Sequence, residues 1–217
     1  YEILSGLVGS EMCIRDRARS LLLLMLLGSL GIGATLWLQY AATPRIEAEQ
    51  RALQARKLLD VLPAGSYDNQ PLDQPLPLAD GQLSNSRLLD GYLATRNGRP
   101  SAVLLRSQVT GYAGPIELLI AIDPQGRLLG SKTLRQDETP GLGARIASWP
   151  NAWLQGFSGK SRNDPGDSAW ALKKDNGQFD QIAGATITSR AVISALHDAL
   201  RYFDEHRGQL LPGTPHE

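Results

Sequence analysis

The chain has 217 residues, and its 22 Lys+Arg balance 22 Asp+Glu for a formal net charge of zero. That balance gives no basic field to draw nucleic acid and no acidic field to draw a basic partner, so partners have to be argued from local sites. The single cysteine, Cys13, rules out an intramolecular disulfide and cysteine-ligated iron–sulfur clusters.

Taken in chain order, residues 1–17 are expected to be a non-native leader, because Ser5 to Arg17 (SGLVGSEMCIRDR) resembles translated adapter DNA. Ser20 to Tyr40 is an almost unbroken apolar run with no charge between Arg19 and Arg45. About 20 such residues cross a hydrocarbon core, so 18–42 reads as a transmembrane anchor. A cleaved signal peptide competes, but the run exceeds the usual apolar region and Ala41-Ala42-Thr43-Pro44 is a weak cleavage site. Trp37 and Tyr40 fall near the outer end, where amphipathic rings favour the interface. Arg15, Arg17 and Arg19 would hold the preceding segment in the cytoplasm; with a non-native leader only Arg19 remains, and the charge rule decides little.

Pro44 suits the first turn of a juxtamembrane helix over 43–62, whose Ile46, Leu53, Leu58, Leu59 and Leu62 give an intermittent apolar face. From Pro63 to about Asp90, Pro, Asp, Asn and Gly predict irregular structure. Strands are expected at Ser101–Val109, Ile116–Ile122 and Arg127–Leu134, with Asn97-Gly98 and Pro124-Gln125-Gly126 as hairpin signals. A short helix over Asn151–Phe157, another strand at Ala169–Lys173 and a long helix over Ser189–His206 complete the reading. The class is α+β: one transmembrane helix, then an antiparallel sheet packed by helices. His197, His206 and His216 are too scattered to meet as ligands on one helix face and read as surface or rim residues. No nucleophile–His–acid constellation is suggested, since Ser189 and Ser194 are explained by the helix that holds them. Neither catalytic nor metal-ligating residues are expected.

The most informative run is Phe179-Asp180-Gln181-Ile182-Ala183-Gly184-Ala185-Thr186-Ile187-Thr188-Ser189. Val192, Leu196, Ala199, Leu200 and Phe203 recur downstream at helical spacing, so the chain enters a helix near Thr186 to Ser189. A helix start presents unpaired N–H groups and partial positive charge, and Gly184 and Ala185 let the backbone approach an anion. Thr186 could then bond a phosphoryl group or sit beside one. A simple N-cap role for Thr186 or Thr188 accounts for the same local sequence.

The segment Asp180 to Thr188 resembles the flavinylation motif of the FMN-binding domain family, roughly Asp-x-x-Ser/Thr-Gly-Ala-Thr-x-Thr, in which FMN is held by a phosphoester to threonine. Ala183 departs from it, where the family often has a hydroxyl residue. Glu138-Thr139-Pro140-Gly141-Leu142-Gly143 matches the ETPGLG loop that packs beside the flavin ring in that family, and read physically it is a sharp, rigid turn. Gly111 to Ile116 and Leu172 to Asp180 extend the likeness, which in order and spacing is to the G subunits of Rnf (Rsx) electron-transport complexes.

The resemblance implies an FMN-binding domain over 63–206 with a tail at 207–217. It implies covalent FMN on Thr186, with Thr188 the alternative, and Gly184, Ala185, Glu138, Thr139, Gly141 and Leu142 around the cofactor. Lys173 and Lys174 could stabilise a reduced, anionic flavin or be two solvated charges near a strand end. The expected function is a membrane-anchored redox relay in an Rnf-type ion-translocating complex, with the other membrane subunits and a maturing flavin transferase as partners. The expected location is the bacterial inner membrane, single-pass, with the domain on the periplasmic side. Two alternatives stand beside it: the C subunit of a sodium-pumping quinone reductase, which shares both motifs, and a structural or assembly subunit without flavin.

Overall fold

Leu21–Tyr40 forms one helix, α1, with every side chain exposed. At roughly 1.5 Å rise per residue it is about 30 Å long, the thickness of a hydrocarbon core. Its Ser29 and Thr35 hydroxyls bond within the helix, Ser29 Oγ to the Leu26 carbonyl at 3.0 Å and Thr35 Oγ1 to the Gly31 carbonyl at 2.8 Å, as an apolar solvent requires. The computed structural model describes residues 21–40, 55, 58–79 and 81–211. The expectations for the leader at 1–17, most of the helix at 43–62 and the tail from 212 fall outside them.

The chain divides into two units, 1–54 and 55–217. The second is built on a four-stranded antiparallel meander: β1 (Ser86–Arg96), β2 (Arg99–Thr110), β3 (Pro115–Ile122) and β4 (Leu128–Arg135), in that order across the sheet. Asn97 (φ 52°) and Gly98 (φ 73°) make the two-residue hairpin turn, since both must be left-handed. At the β3–β4 connection Asp123 Oδ1 accepts the Gln125 and Arg127 amides, 2.9 and 2.8 Å.

Both faces of the sheet are covered, which is why β3 reads as a near-continuous apolar run rather than an alternation. Val103, Leu105, Ile116, Leu118 and Ile120 join the main core against α3 (Thr186–Glu205), which presents Val192, Leu196, Ala199, Leu200 and Phe203. Ala102, Leu104, Leu119 and Ala121 point the other way and pack with Leu59, Val61 and Leu62. A single turn, α2 (Ala152–Gln155), is capped by Asn151, whose side-chain oxygen accepts the Trp153 and Leu154 amides. Arg207–Leu210 forms α4, and Leu210 and Leu211 are buried in the main core.

Two sequence expectations are corrected. The irregular stretch ends at Asn85 rather than near Asp90, because β1 starts at Ser86; a register shift between Leu88 and Asp90 hides its alternation. Ala169–Lys173 is not a strand. Trp170 and Leu172 are buried there, but they lie between two 3-10 turns, Asp167–Ala169 and Lys173–Asp175, with only an isolated bridge from Leu172 to Phe179.

Candidate functional site

The first turn of α3 decides which hydroxyl is available. Ala185 is its N-cap and brings no side-chain hydrogen bond, so the first-turn N–H groups have no side-chain cap. Neither threonine acts as a cap. Thr186 is the first helical residue, and its hydroxyl donates to Gln181 Oε1 at 2.9 Å. Thr188, 1 % exposed, turns inward and donates to Glu138 Oε2 at 2.5 Å. Ser189 clips the approach to the helix, accepting the Ile182 amide at 3.0 Å and donating to the Ala185 carbonyl at 2.8 Å. Gly184 turns the chain into the helix at φ 74°, a conformation that suits glycine.

The Pro140 loop folds as a tight turn closed by the Leu142 and Ala144 amides on the Thr139 carbonyl, 3.1 and 3.2 Å. Its first residue, Glu138, is buried, and both its carboxylate oxygens are hydrogen-bonded. Oε1 accepts the Tyr112 and Ala113 amides at 2.8 and 3.2 Å, and Oε2 accepts the Thr188 hydroxyl. Gly143 is a close-packing position, since a Cβ there would lie 2.6 Å from Glu138 Oε2 and 2.7 Å from Thr188 Oγ1.

Between the two motifs lies a cleft of about 550 Å³, within the range of small-molecule sites. Seven of the eight expected site residues line it: Glu138, Thr139, Leu142, Gly184, Ala185, Thr186 and Thr188. Gly141 does not; it is exposed at φ 77° and serves the turn. Three lining residues were not anticipated: Tyr112, Gly143 and Ile187. Tyr112 and Ile187 are 68 % and 49 % exposed and Leu142 is 43 % exposed, so large apolar surfaces are held open toward the cleft. Tyr112 lies in a run that carried the family likeness, and that was its only sequence signal.

This arrangement fits FMN at both ends. The planar ring needs exposed apolar and aromatic walls, which Tyr112, Leu142 and Ile187 supply. The phosphate needs donors and positive charge, which an uncapped helix start supplies beside the Thr186 hydroxyl. The expected lysines divide: Lys173 Nζ pairs with Asp180 Oδ2 at 2.6 Å, whereas Lys174 Nζ donates to Thr186 Oγ1 at 3.0 Å.

The fold and cleft are those of an α+β domain with a small-molecule site, and the FMN-binding domain family matches residues 111–201 of the chain. The G subunit of the ion-translocating oxidoreductase complex of Pseudomonas aeruginosa (strain UCBPP-PA14) is 47% identical over 199 residues, covering 91% of this chain and 93% of its own. The G subunit of the same complex in Cereibacter sphaeroides (strain ATCC 17029 / ATH 2.4.9) is 42% identical over 158 residues, covering 73% of this chain and 71% of its own. Among solved structures, the C subunit of Na(+)-translocating NADH-quinone reductase from Parabacteroides distasonis aligns with a TM-score of 0.45 and 27% identity, over 58% of this chain and 64% of that one. The chain belongs to the family of ion-translocating oxidoreductase complex G subunits.

Proposed function

We propose that the chain carries its FMN as a phosphoester on Thr186, in a bacterial inner membrane, with the flavin-bearing domain on the periplasmic side. The coarser function is given by the family: a flavin electron-transfer subunit of an ion-translocating oxidoreductase, working beside the other subunits of that complex. The observation that carries the finer reading is the contrast between the two threonines. Thr186 lines the cleft on an uncapped helix start, its hydroxyl held only by the exposed Gln181 and Lys174 side chains, while Thr188 is buried with its hydroxyl given to Glu138.

Bound FMN supplies one-electron and two-electron chemistry, and the protein supplies position and electrostatics. Gly184 and Ala185 keep the backbone low beside the phosphate end, and Leu142, Tyr112 and Ile187 shield the ring from water. Glu138 acts one step back, holding the Tyr112 turn and α3 at a fixed separation. A covalent bond suits a carrier outside the cytoplasm, because noncovalent FMN would be lost by dilution where free flavin is scarce. Making the ester needs an activated flavin phosphate and a flavin transferase, which is the maturation partner in this reading. α1 is long enough to hold the domain at the membrane.

The test is the intact mass of the denatured protein after co-expression with a flavin transferase. A mass increase of one FMN-phosphoryl group is expected. An unmodified mass, in cells where the same transferase loads a second FMN-binding domain, would overturn the phosphoester, and a lack of noncovalent flavin in the undenatured protein as well would leave the structural or assembly reading in its place.

A further inference from the structure

We propose that Lys174 is the cationic partner of the phosphate joined to Thr186, and that the turn it belongs to is built to hold it there during attachment. The proposal rests on Thr186 as the attachment point. Lys173–Asp175 is a single 3-10 turn, and each of its side chains reaches the segment that ends in α3. Lys173 Nζ pairs with Asp180 Oδ2 at 2.6 Å, just ahead of the Gly184 turn. Lys174 Nζ donates to Thr186 Oγ1 at 3.0 Å. Asp175 takes Arg190 in a two-pronged pair, Nε at 2.7 Å and Nη2 at 2.8 Å, one helical turn beyond Thr186.

The turn is also rooted from beneath. Leu172 is buried in the main core, and its carbonyl accepts the Asp175 and Gly177 amides at 2.8 and 2.9 Å. A lysine on an unanchored loop spreads over many rotamers and contributes little at any one point. Here the side chains on both sides pair with the segment that carries the hydroxyl, and the Lys173 amide donates to the Phe179 carbonyl at 2.8 Å. Lys174 Nζ meets the cleft at the Thr186 hydroxyl oxygen, which puts its charge at the phosphate end.

The chemistry that needs this charge is phosphoryl transfer. An O–P bond forms between Thr186 Oγ1 and the phosphorus of a pyrophosphate-linked flavin donor, and the P–O bond to the second phosphate breaks, taking its electron pair. The hydroxyl proton passes to a base of the transferase, and nothing is oxidised or reduced. Negative charge on the phosphoryl oxygens gathers around the oxygen that Lys174 Nζ already touches, where a fixed ammonium stabilises the transfer and then the ester.

The experiment follows covalent flavin incorporation by intact mass, using the detergent-solubilised full chain, purified transferase and flavin donor, with wild type, K174Q, K174R and T186A compared. Wild type is labelled, T186A is not, K174Q is slowed about tenfold in kcat, and K174R stays within about threefold of wild type. Added salt narrows the gap between wild type and K174Q, as it does for exposed charges. Thermal melts show K174Q folded. The proposal is overturned if K174Q matches wild type, if K174R is as slow as K174Q, or if the whole loss lies in KM, which would make Lys174 a docking contact for the transferase. Failure of wild type to be labelled would instead overturn the reading of Thr186 beneath it.

Discussion

Thr188 and Glu138, fifty positions apart, share a 2.5 Å hydrogen bond that joins the helix start of one motif to the turn of the other. Glu138 has the Tyr112 and Ala113 amides as its further donors, so this one carboxylate ties three segments around the cleft. Replacing it by alanine leaves the two part-buried amides and the buried Thr188 hydroxyl without their acceptor. Glu138→Ala is expected to cost roughly 2–4 kcal/mol and Glu138→Gln roughly 1–2 kcal/mol, because the amide keeps an acceptor but loses the charge. Chemical denaturation of the two variants beside wild type measures both.

The same bond separates the roles of the two threonines. Thr188→Ala removes one donor from Glu138 and should lower stability by about 1–2 kcal/mol while leaving covalent flavin in place. Thr186→Ala should abolish the adduct and shift stability little, since that hydroxyl meets only the exposed Gln181 and Lys174 side chains. Denaturation midpoints and intact masses of the two variants should therefore move in opposite patterns.

Two glycines hold the motifs close. At Gly143 a methyl group would press on Glu138 and Thr188, and Gly143→Ala should cost about 1–3 kcal/mol through overpacking. At Gly184 the left-handed backbone and a Cβ only 2.8 Å from Leu142 Cδ2 combine, so Gly184→Ala should cost about 1–2 kcal/mol and displace Leu142 from the cleft wall. Melting curves give the costs, and weakened binding of free FMN by the variant would report the displaced wall.

How much of this was legible in the sequence varies by element, for physical reasons. α3 and the β2–β4 meander were legible because Val192 to Phe203 repeat at helical spacing and Asn97-Gly98 and Pro124-Gln125-Gly126 mark turns. β1 was not, because its bulge near Asp90 breaks the alternation and a Pro-rich stretch precedes it. Ala169–Lys173 misled in the opposite direction: Trp170 and Leu172 are apolar at strand spacing because they plug the core from a loop. Within the site, motif likeness named seven of the ten residues that line the cleft, but the inward turn of Thr188 and the Lys174 contact depend on chain segments that meet only after folding.

Acid should loosen the turn that carries Lys174. The Arg190 guanidinium, by hydrogen bonding first and by its charge, holds the Asp175 carboxyl below the ordinary aspartate range. Its pairing therefore contributes stability above that range, and the contribution fades as pH falls from there through the depressed folded value. NMR titration of the Asp175 carboxyl should show the lowered midpoint in wild type and a return toward the ordinary range in Arg190→Gln.

The most direct test of the central claim is to locate the flavin within the chain: proteolysis of the flavinylated protein, with fragmentation that preserves the phosphoester and resolves Thr186 from Thr188. The adduct is predicted on Thr186 alone, with none recovered from Thr186→Ala. An adduct on Thr188, or an undiminished adduct in Thr186→Ala, would contradict the account.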